Sequence, residues 1–245
     1  MVGDIYQDGR YAVKFPAWHA EDSSWKAGHL CSLFGSNAEI CLGHPPKTLG
    51  LAEVGCGAGG VISAVARRIE RLSYKCSMTG YEISDYARHL ASSSHPEISL
   101  MSDFMSDDSE FDLGLMVDFF EHVENPQAYL IEASRRFTWT LFHIPLDINL
   151  LGRIEKGAKY YQYLKRDRGH INYYTKSSAL ALLARSGHRV IRWKYTPWGL
   201  ELPQPKGKRA APIRIARSLG MRVIPNTSVY LLGGASLAVL TRGQR

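Results

Sequence analysis

The feature that most limits what this chain can become is the run Leu51-Ala52-Glu53-Val54-Gly55-Cys56-Gly57-Ala58-Gly59-Gly60. An apolar strand ends in a carboxylate and then in glycines, and a helical pattern follows at once. Val61, Ile62, Val65, Ile69 and Leu72 recur at helical spacing, with Arg67, Arg68, Glu70 and Arg71 at the polar positions. Glycines are needed where a strand turns sharply into a helix and backbone must come close to a ligand. The run therefore predicts a strand–turn–helix unit with a ligand-binding bend.

The remainder repeats the theme. Apolar runs at 48–53, 77–82, 98–102, 111–118, 138–144, 189–195 and 235–241 alternate with amphipathic segments, the βαβα pattern of a mostly parallel sheet. Asn125-Pro126 marks one helix start, since asparagine caps and proline suits the first turn. Another helix spans 176–186, capped by Thr175 and stopped by Gly187. The expected fold is α/β: a Rossmann-like seven-stranded sheet, mostly parallel with an antiparallel last strand, helices on both faces and lid insertions. Two stretches, at about 147–174 and 196–229, exceed minimal alternation. In open α/β sheets ligands bind beyond the carboxyl ends of the strands, so both insertions are expected to overhang the cleft.

Composition excludes some classes. No apolar run approaches the roughly 20 residues of a membrane helix, and residues 1–11 are polar, without the apolar core of a signal peptide. A cytoplasmic protein without membrane attachment is expected. Cys31, Cys41, Cys56 and Cys76 form no C-x-x-C pair and no zinc spacing, so they read as reduced thiols. Asp112, Asp118 and Asp147 are scattered, so no metal is expected. The net charge is +7, and Lys206, Lys208, Arg209, Arg214, Arg217 and Arg222 fall in one stretch, which keeps a polyanion partner in view.

Gly55, Gly57 and Gly60 satisfy G-x-G-x-x-G, a pattern shared by nicotinamide and flavin enzymes. Three features discriminate. Glu53 at the strand end would repel a pyrophosphate but receive a cationic ligand, and S-adenosylmethionine carries a sulfonium and an ammonium and no phosphate. Glu82 ends the second strand, where an acid accepts both ribose hydroxyls. Asp103-Phe104 follows the third strand, where a polar group and a ring suit adenine.

These positions resemble the class I S-adenosylmethionine-dependent methyltransferase family. Residues Glu53 through Gly59 look like its first motif. Asp118-Phe119-Phe120-Glu121-His122-Val123-Glu124-Asn125-Pro126 resembles its fourth-strand motif, close to the D-x-x-E-H-V of its small-molecule branch. Gly169-His170-Ile171-Asn172-Tyr173-Tyr174-Thr175 resembles the segment before that branch's sixth strand. The lead-in from Trp18 to Ala27 is similar to that of members whose first helix covers the cofactor. The resemblance implies a helical lead-in over 1–46 and a methyltransferase domain over 47–245. It implies that Gly55, Gly57 and Gly59 shape the loop around the methionine part, Glu53 steers its ammonium, and Glu82 holds the ribose. Ile83 would pack on adenine, Asp103 and Phe104 would frame it, and Asp118 and Phe119 would lie beside the reacting end. Cys56 on the loop, with Trp25, Lys26 and His122, completes the expected cofactor contacts. Cys56 itself reads as a small packing residue rather than a nucleophile.

Methyl transfer from a sulfonium is an in-line displacement that holding the reactants in line already accelerates, and a hydroxyl acceptor benefits from a general base. His122, His143 and His170 are the candidates, with His170 favoured because it sits at the exit of an insertion. Tyr160, Tyr161, Tyr163, Tyr173, Tyr174, Trp193, Tyr195 and Trp198 crowd the insertions and suit a ring-shaped or sugar-like acceptor, or else the lid's own core. The leading expectation is methylation of a small-molecule hydroxyl, in a sugar or natural-product intermediate. The alternatives are an RNA methyltransferase, prompted by the basic stretch, and a nucleotide-dependent oxidoreductase. Asp118-Phe119-Phe120-Glu121 departs from the Asn/Asp-Pro-Pro-aromatic motif of enzymes that methylate flipped bases, which disfavours nucleic acid.

Overall fold

The structure is a computed structural model that describes residues 13–14, 18, 20–35, 38–157, 159–203 and 210–244. The expectation of a polar N-terminus over residues 1–11, and Lys206, Lys208 and Arg209 of the basic stretch, lie outside them.

Strands β1 (Thr48–Val54), β2 (Lys75–Tyr81), β3 (Ile98–Met101), β4 (Phe111–Val117), β5 (Phe137–Pro145), β6 (Arg189–Thr196) and β7 (Ser236–Arg242) form one sheet in the order β3-β2-β1-β4-β5-β7-β6. The β1–β2, β2–β3, β1–β4 and β4–β5 pairs are parallel, while β7 runs antiparallel to β5 and β6. The expected sheet is observed, with strand ends within a few residues of the apolar runs. The chain leaves β1 toward β2 and later returns to β4 on β1's other side. That reversal opens a crevice at the carboxyl end of the sheet.

Both faces are covered, because side chains alternate along each strand. Leu49 and Leu51 of β1 join a core with Ala27 and Leu30 of α1 (Ser23–Cys31) and Ile62, Val65 and Ile69 of α3 (Gly60–Glu70), α2 being Ala38–Leu42. Ala52 and Val54 face a second core with Leu130 and Ala133, on the helix that starts at Pro126, and with Leu182 and Leu183. Between them, α4 spans Asp85–Ser94. The helix pattern overruns at one point: α3 ends at Glu70 and Leu72 is 49% exposed.

The other helix signals act as caps. The Asn125 side chain accepts from the Ala128 amide at the start of α5 (Pro126–Arg136). Residues 147–174 fold as α6 (Leu150–Lys156), α7 (Lys159–Tyr163) and a π-helical turn, Leu164–Arg168. The Thr175 hydroxyl and the Ser178 side chain then form a reciprocal box that opens α8 (Lys176–Arg185). Between β6 and β7 come α9 (Trp198–Glu201), α10 (Ala210–Val223) and α11 (Pro225–Leu232). Among the described residues no helix is long and apolar enough to cross a membrane.

Candidate active site

At the bend the Gly55 and Cys56 amides both donate to the Tyr81 carbonyl, at 2.8 and 3.1 Å, which pins the loop to β2. Gly55 has φ 73°, and a Cβ there would lie 2.6 Å from the Phe119 ring. Only glycine meets both conditions. Glu53 is 2% exposed and accepts from the Ile62 amide at 3.0 Å, in the first turn of α3. Burial pushes its carboxyl up to about 8 despite that bond. Glu82 accepts from the Gly57 and Ser84 amides at 2.9 and 2.8 Å, and burial raises its carboxyl as well. Cys56 is buried with its sulfur over Gly80, and burial raises its thiol far above a reactive range, so it is a packing residue.

A charged chain crosses from the lead-in to the sheet. Lys26 Nζ lies 2.9 Å from both Asp22 Oδ1 and Asp118 Oδ2, and His143 Nδ1 lies 2.6 Å from Asp118 Oδ1. Burial opposes both charges, but Lys26 and then His143 hold the Asp118 carboxyl well below its usual range, while Asp118 and Asp22 hold the Lys26 ammonium above its own. Asp118 sits in the left-handed region at φ 49°, which aspartate tolerates better than most residues. His143 also contacts the Thr196 hydroxyl through Nε2, at 2.9 Å, and is 3% exposed. With both ring nitrogens engaged it braces Asp118. Trp25 donates to Glu201 of α9 at 2.7 Å and sets its edge against the His143 ring. Thus α1 is fastened both to β4 and to the second insertion.

Ile83 (48% exposed), Asp103 and Phe119 line the cavity. Phe104 lines it too, but its ring is 2% exposed, and the Arg136 guanidinium lies 3.9 Å from its centroid. One face of its ring is covered by that cation.

The cavity continues past Asp118 to the insertions, with a volume of about 1430 Å³, more than the roughly 300–1,000 Å³ typical of a single-ligand pocket. Asp147, Asn149, Tyr160, Tyr163, Arg168, His170 and Trp198 line its far end. His170 Nδ1 lies 2.7 Å from Asp147 Oδ2, and His122 Nδ1 lies 3.1 Å from the Gly169 carbonyl, which it can satisfy only as a donor. The two rings meet edge to face at 4.9 Å. The aromatic crowd divides: Tyr160, Tyr163 and Trp198 face the cavity, whereas Tyr161, Tyr173, Tyr174, Trp193 and Tyr195 are not among its lining residues, and Tyr174 packs on Phe120 in the core.

Glu121 is the functional candidate that the sequence reading passed over. It is wholly buried, and its backbone carbonyl accepts from the Ile171 and Asn172 amides, which draws the His170 segment onto the end of β4. Neither side-chain oxygen has a hydrogen-bond partner among the described residues, and His122 Nε2 lies 3.7 Å from one of them. Burial first, and Asp118 second, push this carboxyl upward. Glu121, His122 and His170 each offer a ligand atom within 4.8 Å of the others. The visible signal was the Glu-His pair, but its third member comes from a distant segment.

Of the basic stretch, Arg217 donates to the Leu232 carbonyl at 2.7 Å and Arg214 to the Leu200 carbonyl at 3.1 Å. These two arginines stitch the insertion together, which weakens the case for a polyanion surface.

A family model described as a methyltransferase domain matches residues 41–192. No curated protein matches the chain by sequence. Among solved structures, the plantazolicin methyltransferase BpumL, in complex with a monoazolic desmethylPZN analog and SAH, superposes with TM-score 0.61 at 15% identity, covering 100% of this chain and 94% of its own. A SAM-dependent methyltransferase from Archaeoglobus fulgidus gives TM-score 0.57 at 12% identity, covering 95% and 99% respectively. Another from Thermotoga maritima gives 0.55 at 15%, covering 95% and 96%. At these identities the superpositions establish the fold.

Proposed function

The chain belongs to the class I S-adenosylmethionine-dependent methyltransferases, and from that premise we propose that it methylates a hydroxyl of a small molecule, a sugar or natural-product intermediate. The observation that carries this reading is the single cavity joining the glycine bend to the Asp147–His170 pair. It has room for two ligands end to end, as in-line transfer requires.

The residues divide the work. Glu53 takes the cofactor's ammonium, Glu82 its ribose, and Asp103 with Ile83 its adenine. Asp118, held ionised by Lys26 and His143, places a negative charge beside the sulfonium. Phe119 and Trp25 wall this end, and Trp25 and Lys26 bring the lead-in helix over it. On the acceptor side His170, oriented by Asp147, meets the hydroxyl, and its cluster with His122 and Glu121 eases the loss of the proton. Tyr160, Tyr163 and Trp198 offer flat faces to a ring. The described parts of the two insertions, 147–157, 159–174, 196–203 and 210–229, form the lid. S-adenosylhomocysteine is the product that leaves.

The test is to titrate the purified protein with S-adenosylhomocysteine and with NADH, then to follow label from methyl-labelled S-adenosylmethionine into a panel of hydroxylated aromatic and sugar acceptors. Micromolar binding of the first ligand alone, with label in an ether product, is the expected result. Label appearing only in RNA, or only in amine acceptors, would overturn the hydroxyl assignment.

A further inference from the structure

The acceptor end holds a group that none of the residues around it satisfies. Glu121 is fully buried and neither of its carboxylate oxygens finds a hydrogen-bond donor among the described residues. A buried carboxyl left without a donor keeps its full desolvation penalty, so a native site that keeps one calls for a partner. Two imidazoles stand beside it. His122 gives Nδ1 to the Gly169 carbonyl, which fixes the tautomer and turns a basic Nε2 to within 3.7 Å of Glu121. His170 gives Nδ1 to Asp147 at 2.7 Å, so Nε2 is the nitrogen it has to offer. A histidine whose far nitrogen is held by a carboxylate or a carbonyl is the usual arrangement around a bound metal.

We propose that Glu121, His122 and His170 form a binding site for one divalent first-row transition cation at the acceptor end of the cavity. One carboxylate and two imidazoles are a donor set suited to zinc, manganese, iron or cobalt, and three protein ligands leave positions open to a ligand oxygen. His122 and His170 line the cavity, so those positions face the acceptor. The proposal rests on the hydroxyl-methylation reading and specifies how the hydroxyl is activated. Its oxygen binds the cation, the O–H bond breaks and the proton passes to solvent. The oxygen's electron pair then forms the new bond to the methyl carbon, and the carbon–sulfur pair returns to sulfur as a neutral thioether. His170 then serves as a ligand and Asp147 as its positioning residue.

The experiment uses untagged full-length protein stripped with a chelator. The readouts are Zn²⁺ retained after gel filtration and the visible spectrum on titration with Co²⁺, with S-adenosylhomocysteine affinity measured on each sample. The wild type should retain one zinc per chain, and its cobalt spectrum should lack the thiolate charge-transfer band of an adventitious cysteine site. Glu121→Gln and His170→Ala should lose the retained zinc while binding S-adenosylhomocysteine as before. Asp147→Asn should weaken Co²⁺ binding by about 10–100-fold, the usual cost of removing a carboxylate behind a ligating histidine. If Glu121→Gln fails to fold, Asp147→Asn decides the question. Wild-type protein that binds S-adenosylhomocysteine but retains no zinc, or an Asp147→Asn variant that binds Co²⁺ unchanged, overturns the metal site alone. Failure of the wild type to bind S-adenosylhomocysteine would instead bring down the methyltransferase reading beneath it.

Discussion

The two ends of the cleft are made by different means. At the cofactor end Glu53, Glu82 and Asp118 stand at the tips of three adjacent parallel strands, fixed by the sheet and by hydrogen bonds to amides of the bend, or by Lys26 and His143. At the acceptor end Asp147, Tyr160, Tyr163, Arg168, His170 and Trp198 come from short helices and turns outside the sheet. On the function proposed above, the contrast makes cofactor affinity a property of the sheet and acceptor choice a property of the insertions. The two should therefore respond separately to substitution.

The sharpest break between them is His170→Ala. We expect kcat to fall by about 10²–10⁴-fold, the range for losing a group that assists proton removal, while S-adenosylhomocysteine affinity, read by calorimetry, stays within about threefold of wild type. A matching loss of cofactor affinity would mean that the two ends are not independent.

The converse is Glu82→Ala, which strands the Gly57 and Ser84 amides. The stranded amides lower stability, and the lost hydrogen bonds from the ribose to a charged acceptor, about 1.5–3 kcal/mol, should drop cofactor affinity roughly 10–150-fold, with turnover at saturating cofactor changed far less. Equal losses in KM for the acceptor would blur the division.

Acidity sharpens the picture further. Burial pushes Glu53 up to about 8, so below that pH the empty site holds the neutral acid. The ligand's ammonium favours the carboxylate, so binding at pH 7 should release a proton. Affinity should then rise by about tenfold per pH unit up to pH 8 and level off above it. Calorimetry in buffers of different ionisation heat reads this directly, and Glu53→Gln should abolish the slope.

The smallest effect is expected far from both ends. Leu219, on α10, is 59% exposed, and Leu219→Ser should change stability by less than about 0.5 kcal/mol in a urea melt, with both affinities unmoved.

Local pattern made much of this legible. The apolar runs, the Asn125 and Thr175 caps and the glycine bend each act within a few residues, and each appears where the sequence reading placed it. Leu72 fails for a local reason too, since periodicity carries no information on where a helix stops being covered. The site is half legible. Glu53 and Glu82 betray themselves as acids at strand ends, but nothing local says that Phe104 would give its ring to Arg136, or that His143 would turn both nitrogens to Asp118 and Thr196.

From sequence alone came the order of strands and helices, the ligand-binding bend and the preference for a phosphate-free cationic nucleoside, because these depend on side-chain periodicity, glycine conformation and the sign of a charge. Only the tertiary structure decided which residues meet: Lys26 with Asp118 across the cleft, and Glu121 and His122 with His170. Such meetings depend on how strands and insertions stack in space, and the Glu121 carbonyl, by binding the Ile171 and Asn172 amides, sets the last of them.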